Sequence, residues 1–153
     1  MNRLALKLSV RTPLAEGLPI LCLDFDGVIH DYRQGWKGGQ IYGHLTTGFY
    51  EWAELAQKYF RLVIYSSRSK DDDGTEQMSA WLANEIGKPV VRQKDHGNPH
   101  TVVTIGGVLF EFAHQKPPAF LTIDDRALQF KGTWGELDPR KLREFRPWMD
   151  VQR

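Results

Sequence analysis

The stretch Leu21-Cys22-Leu23-Asp24-Phe25-Asp26-Gly27-Val28 constrains this chain more than any other, because an apolar run ends abruptly in two carboxylates one residue apart. Continuous apolar runs mark strands buried on both faces. Ile20 to Leu23 therefore suits the middle of a parallel sheet, where ligands bind beyond the carboxyl ends of the strands. Asp24 and Asp26 stand at that end, and Gly27 lets the backbone turn sharply with no side chain in the way. Two clustered carboxylates repel each other, and a hard cation such as Mg²⁺ relieves the repulsion. A strand that delivers acid and a cation to a sheet edge points in turn to a phosphate.

The same design recurs along the chain. From Thr47, read as an N-cap, Phe49, Trp52, Ala53, Leu55, Ala56 and Tyr59 recur at helical spacing and predict an amphipathic helix over 48–59. A second apolar strand, Leu62-Val63-Ile64-Tyr65, follows and ends in Ser66-Ser67-Arg68. Asp73 and Glu76 form a capping-box-like pair ahead of a helical face made by Met78, Trp81, Leu82 and Ile86, and Gly87-Lys88-Pro89 stops that helix. A short strand near Val90-Val91 comes next. Residues 101–112 read as a hairpin about Gly106-Gly107 that pairs Ile105 with Val108, Val103 with Phe110 and Thr101 with Phe112. One of its faces is strongly apolar, so the hairpin is expected to lie against the domain and to flank the mouth of the site. After Lys116-Pro117-Pro118, a fourth apolar run, Ala119 to Ile123, ends in Asp124-Asp125-Arg126. Asp138-Pro139 reads as N-cap and first residue of a closing helix of about two turns, with Leu137 and Leu142 as its staple. Leu4, Leu6, Leu8 and Val10 alternate as an edge strand would. Residues 28–46, with Gly35, Gly38, Gly39 and Gly43 among Tyr32, Trp36 and Tyr42, have the composition of a flap over a site.

Composition narrows the class of protein. A chain of 153 residues has the size of one ordinary domain, here 1–153. Its 20 Lys and Arg against 19 Asp and Glu leave a net charge of +1, which predicts neither a polyelectrolyte binder nor a membrane-surface protein. No stretch reaches transmembrane length and no signal peptide is evident, so the expected location is cytoplasmic. The one cysteine, Cys22, lies in the apolar strand as a small buried residue, in keeping with a reducing compartment.

Strands separated by helical segments argue a parallel α/β sheet that brings Asp24, Asp26, Ser66, Asp124 and Asp125 to one edge. Each signal is weak alone, and together in this order they are specific. Asp24-Phe25-Asp26-Gly27-Val28, the strand-terminal Ser66, Lys116 and Asp124-Asp125 resemble the four motifs of the haloacid dehalogenase superfamily of phosphatases. Ser66-Ser67-Arg68 and Ile123-Asp124-Asp125-Arg126 are similar, within it, to the phosphatase half of polynucleotide kinase 3′-phosphatases. The resemblance implies a three-layer Rossmann-like α/β fold with a central parallel sheet and a minimal cap, to which residues 101–112 add a hairpin insertion. It implies that Asp24 is the nucleophile, Asp26 the general acid and base, and Ser66 and Lys116 the phosphate binders. Mg²⁺ would be held by Asp24, Asp26 and Asp125, with Asp124 as a supporting or second ligand.

Those roles have independent physical sense. A carboxylate that attacks phosphorus splits one hard hydrolysis into two easier steps, and a second carboxyl two residues on is close but offset, as proton transfer requires. Lys116 supplies fixed positive charge, and Ser66 or Ser67 a hydrogen bond, as charge spreads in the transition state. The spacings leave no room for a large cap, so the site is expected to be open and to take a phosphorylated small molecule or a nucleic-acid end. Two other readings stand beside this one: a phosphate-binding or regulatory module without catalysis, and a generic small-metabolite phosphatase. No Gly-x-x-x-x-Gly-Lys-Ser/Thr loop supports a kinase. The histidines at 30, 44, 96, 100 and 114 show no metal-ligand pairing, although His30 follows the first motif closely enough to line the site.

Overall fold

The computed structural model describes residues 17–70, 72–94 and 97–151. The edge strand expected near residues 4–10 lies outside them. The elements are β1 (Ile20–Leu23), α1 (Phe49–Ala56), β2 (Arg61–Ile64), α2 (Asp72–Ile86), β3 (Val90–Gln93), β4 (Thr101–Ile105), β5 (Val108–Phe112), β6 (Leu121–Ile123), α3 (Pro139–Leu142) and α4 (Trp148–Val151). They build an α/β architecture around a six-stranded sheet of order β3-β4-β5-β2-β1-β6.

The sheet is mixed rather than wholly parallel. β5, β2, β1 and β6 run parallel, while β3 and β4 extend the sheet antiparallel to their neighbours. The register places Leu21 beside Leu62, Leu62 beside Phe110 and Phe110 beside Val103, with Leu23, Ile64 and Phe112 in the next row. These side chains share one face with Phe49, Ala53 and Ala56 of α1 and Met78, Leu82 and Ala83 of α2. Each fully buried Leu, Ile or Phe there contributes about 2 kcal/mol of transfer free energy, so this one layer is the main source of cohesion. The reverse face carries Cys22, Val63, Glu111 and Val102, all buried. Among the described residues the remaining helices, α3 and α4, have four residues each, so no second helical layer of the expected kind is present.

The hairpin has the expected pairings, Ile105 with Val108 through Thr101 with Phe112. Its place is different from the one expected. β5 pairs with β2 in the interior of the sheet, so the hairpin is part of the sheet itself. Because β5 runs parallel to β2, the Gly106-Gly107 turn lies at the opposite edge from Asp24, where Tyr50 and Gln57 of the α1 region bond it. The turn therefore does not flank the site. The apolar face expected of the hairpin is real, and the core consumes it.

Local signals err at helix ends. α1 is capped by Gly48 at φ 82°, with no side-chain cap, so Thr47 is not its N-cap. α2 begins at Asp72, which puts Asp73 inside the first turn rather than at a capping box. Asp138 does cap α3, accepting from the Arg140 N–H, but α3 is a single turn rather than two. Among the described residues no helix is long and apolar enough to cross a membrane.

Candidate active site

Backbone hydrogen bonds continue the parallel ladders past the strand ends, from Asp24 N–H to Ile123 O, Tyr65 N–H to Leu23 O and Ala113 N–H to Ile64 O. The residues that follow β1, β2 and β6 are thereby held along one sheet edge. Asp24, Asp124 and Asp125 meet there, each offering a carboxylate oxygen within 4.8 Å of the others. Burial pushes the Asp24 carboxyl up to about 7, and repulsion from Asp124 and Asp125 adds to it against a hydrogen bond from the Phe25 backbone. Burial also raises the Asp125 carboxyl. The two behave as a pair that resists carrying two charges.

The Asp125 side chain is enclosed, only 4% exposed. Its Oδ1 is buried without a hydrogen-bond partner, and its other oxygen occupies the place a side chain at Gly27 would need. Gly27 also has φ 88°, so the residue after Asp26 must lack a Cβ on two counts. An orphaned buried oxygen beside two further carboxylates suits a hard cation, whose charge would satisfy the oxygen and relieve the repulsion. Asp124 is more exposed and turns one oxygen to the Arg126 N–H at 2.8 Å.

Asp26 stands apart from that cluster. Its Oδ1 lies 2.8 Å from His30 Nδ1 and its Oδ2 accepts from Arg68 Nε at 2.8 Å. Burial alone would raise this carboxyl, but the hydrogen bonds from His30 and Arg68 and the guanidinium charge outweigh it and hold it below the usual range. Asp26 therefore rests ionised. The sequence places it among the cation's ligands, whereas here both of its oxygens already have protein partners.

Ser66, two residues after the end of β2, is buried, and Ser67 is exposed. The Ser66 hydroxyl accepts from the Arg68 N–H at 3.2 Å and its own N–H donates to Ser69 Oγ at 3.2 Å, so the short 3₁₀ turn Ser67–Lys70 fixes both Ser66 and Arg68. Arg68 reaches further. Its Nη1 donates to Gly39 O at 2.6 Å, its guanidinium lies 5.0 Å from the Trp36 ring centroid, and its Nη2 is buried without a partner. Arg68 thus ties the Gly-rich flap to the acidic edge. Lys116 is exposed on the segment between β5 and β6.

Two contributors have little or no sequence signal. His30 is fully buried, and only its position four residues after Asp26 hints at a role. Trp148, whose indole N–H donates to Gly27 O at 2.7 Å across 121 residues of chain, gives none. No protein-family model, curated protein or solved structure matches this chain.

Proposed function

We propose that this chain is a divalent-cation-dependent phosphomonoester hydrolase of the haloacid dehalogenase type, with Asp24 as nucleophile. The observation that carries this reading is the asymmetry between two carboxylates on one turn. Asp24 lies with Asp124 and Asp125, whose Oδ1 is buried without a partner, while Asp26 is held by His30 and Arg68. Pure phosphate binding has no need for an acidic edge beside a second, separately positioned acid. Asp24 and Asp125, with Asp124, would hold the cation, Mg²⁺ in this proposal, which would supply positive charge against the repulsion between the nucleophile and the phosphate dianion.

The chain's own groups do the rest. A carboxylate oxygen of Asp24 attacks phosphorus, the ester bond breaks, and the phosphoryl group is carried on Asp24 until water hydrolyses it. Asp26, ionised at rest, is ready to take the proton of that water. A nucleotide or nucleic-acid end leaves as an alkoxide, so in the first step Asp26 takes a proton from solvent and gives it to the leaving oxygen as the ester bond breaks, and in the second step it recovers one from the attacking water; a leaving group that departs as a stable anion needs only the second transfer. Arg68 Nη2, Ser66 and Lys116 are the donors proposed for the phosphate oxygens. The substrate class we favour is a nucleotide or nucleic-acid end phosphate, on the likeness of Ser66-Ser67-Arg68 and Asp124-Asp125-Arg126 to that branch. A free, buried Cys22 agrees with a cytoplasmic location.

The test is a screen of nucleotides, sugar phosphates, an aryl phosphate and 3′- and 5′-phosphorylated oligonucleotides with and without Mg²⁺. Phosphate release should need the cation, and Asp24→Asn should lower it by about 10³-fold or more with an unchanged circular dichroism spectrum. Near-normal turnover in that variant overturns the nucleophile. Oligonucleotides reacting no faster than the aryl phosphate, while a metabolite reacts far faster, overturns the substrate class.

A further inference from the structure

His30 is buried completely, in a box of aromatic rings. Phe25 stacks on it at 5.7 Å, and Trp81, Tyr42 and Tyr32 stand around it at 5.3, 5.1 and 5.9 Å between centroids. A polar ring in such surroundings is costly unless both nitrogens are bonded. Both are. Gly43 donates its backbone N–H to His30 Nε2 at 2.9 Å, and since a backbone amide can only donate, Nε2 must be the bare nitrogen. The proton of the neutral ring then sits on Nδ1, which donates to Asp26 Oδ1 at 2.8 Å. Gly43 has to be glycine for this, because a Cβ there would meet both Nε2 and the Asp31 carbonyl.

The backbone is committed to the same end. His30 N–H donates to Phe25 O and His30 O accepts from Gly27 N–H, both at 2.9 Å, so the turn carrying Asp26 closes on the residue that bonds its side chain. Arg68 holds the other oxygen from a different element. With one donor on each oxygen, the Asp26 carboxylate has a single orientation, and only its remaining lone pairs are free to take a proton.

We infer that His30 is a positioning residue for Asp26: the Gly43 amide selects the Nδ1–H tautomer, and that N–H fixes the carboxylate in the orientation from which it takes water's proton. This rests on the proposed hydrolase reading for the role of Asp26, and on geometry alone for the role of His30. The histidine touches no substrate and acts only through the aspartate.

Amide replacements separate the two nitrogens. His30→Asn places an N–H near the Nδ1 position and keeps the donor to Asp26, whereas His30→Gln places its amide near Nε2 and loses it. The best substrate of the screen should be turned over by His30→Gln about 10- to 100-fold more slowly, with KM little changed and phosphorylated protein accumulating because the second step is slowed. His30→Asn should recover most of that loss. The double variant Asp26→Asn with His30→Gln should be no slower than Asp26→Asn alone within about twofold, since a residue acting through another adds nothing once the other is gone. Equal losses in the Asn and Gln variants, or losses that multiply in the double variant, overturn the inference. Long-range ¹H–¹⁵N spectra of the wild-type ring test it without activity: Nδ1 should be the protonated nitrogen and Nε2 the bare one, and the reverse assignment overturns it. If the wild-type chain hydrolyses no phosphomonoester, the functional reading falls and the ring spectrum decides the geometry.

Discussion

On the proposed reading Asp24 is the residue under the greatest opposing demands, since a nucleophile must be ionised and its surroundings disfavour the charge. The carboxyl is pushed from 3.8 to about 7 by burial and by its acidic neighbours. An acid whose pKa is higher folded than unfolded binds more protons in the folded state, so its contribution to stability is lost as pH rises from about 4 to about 7. In the presence of a chelator the melting temperature should therefore fall between about pH 5 and about pH 8. Asp24→Asn should flatten that slope, and Mg²⁺ should raise the melting temperature more at the higher pH, where it neutralises charge instead of competing with protons. A thermal-melt series over pH checks both, and a slope unchanged in Asp24→Asn would assign it elsewhere. The acids themselves are legible in the sequence, because a carboxylate directly after an apolar strand has one place to be. The burial and bonding of His30 are not, since its second partner, Gly43, lies 13 residues away on a loop without periodicity.

Among the elements, the turn after β1 is held from three directions. α2 anchors the flap that follows it, with Trp81 Nε1 donating to Gly43 O at 3.1 Å and Glu85 Oε1 accepting from Leu45 N–H at 2.8 Å. Thr46 Oγ1 donates to Val28 O at 2.7 Å. α4 closes the third side, with Trp148 on Gly27 O and the Met149 thioether accepting from Tyr32 N–H. Gly27 lies against Asp125, so a bond to the Gly27 carbonyl steadies the acidic edge from a distance. Trp148→Phe keeps most of the ring and loses the donor, and should cost about 1 kcal/mol in denaturant unfolding. It should also weaken Mg²⁺ binding in calorimetric titration, whereas Leu142→Ala, on an exposed α3 position, should change neither appreciably. Equal effects of the two substitutions would mean that the C-terminal segment serves bulk stability alone. The hairpin illustrates what pattern reading reaches at this scale. Strand pairing across a Gly-Gly turn is local, and residues 101–112 announce it. What joins the hairpin to the rest of the sheet is the pairing of Leu62 with Phe110 and Ile64 with Phe112, between strands separated by α2, β3 and β4. No local pattern announces a contact at that distance, so the sequence suggests an insertion where the molecule has two strands of its sheet.

At the scale of the whole molecule the two faces of the sheet are stabilised by different physics. The face under α1 and α2 is closed by apolar packing, and its alternating and helical periods make most of that layer legible in the sequence. The reverse face is closed in part by a buried charge. Glu111, beside Val63 in the register, accepts from Arg61 Nε at 2.9 Å and Nη2 at 2.6 Å and from Asn98 Nδ2 at 2.7 Å, with His100 Nδ1 at 3.1 Å. One carboxylate thus ties β2, β5 and the segment entering β4 together, a role that a lone Glu in an apolar strand does not announce. Burial alone would raise this carboxyl, but hydrogen bonds from His100, Arg61 and Asn98 outweigh it and lower it from 4.5 to about 2. A depressed carboxylate stabilises the fold fully above its unfolded pKa and loses that contribution as pH falls through the folded one. Glu111→Gln should therefore destabilise the protein by about 3 kcal/mol near neutral pH, because it removes one partner of a largely buried ion pair. The gap between wild type and variant in denaturant unfolding should then close as pH falls from about 4.5 towards about 2, since protonation does to the wild type what the substitution has already done. A gap that stays constant across that range would show that Glu111 contributes by shape and packing rather than by charge.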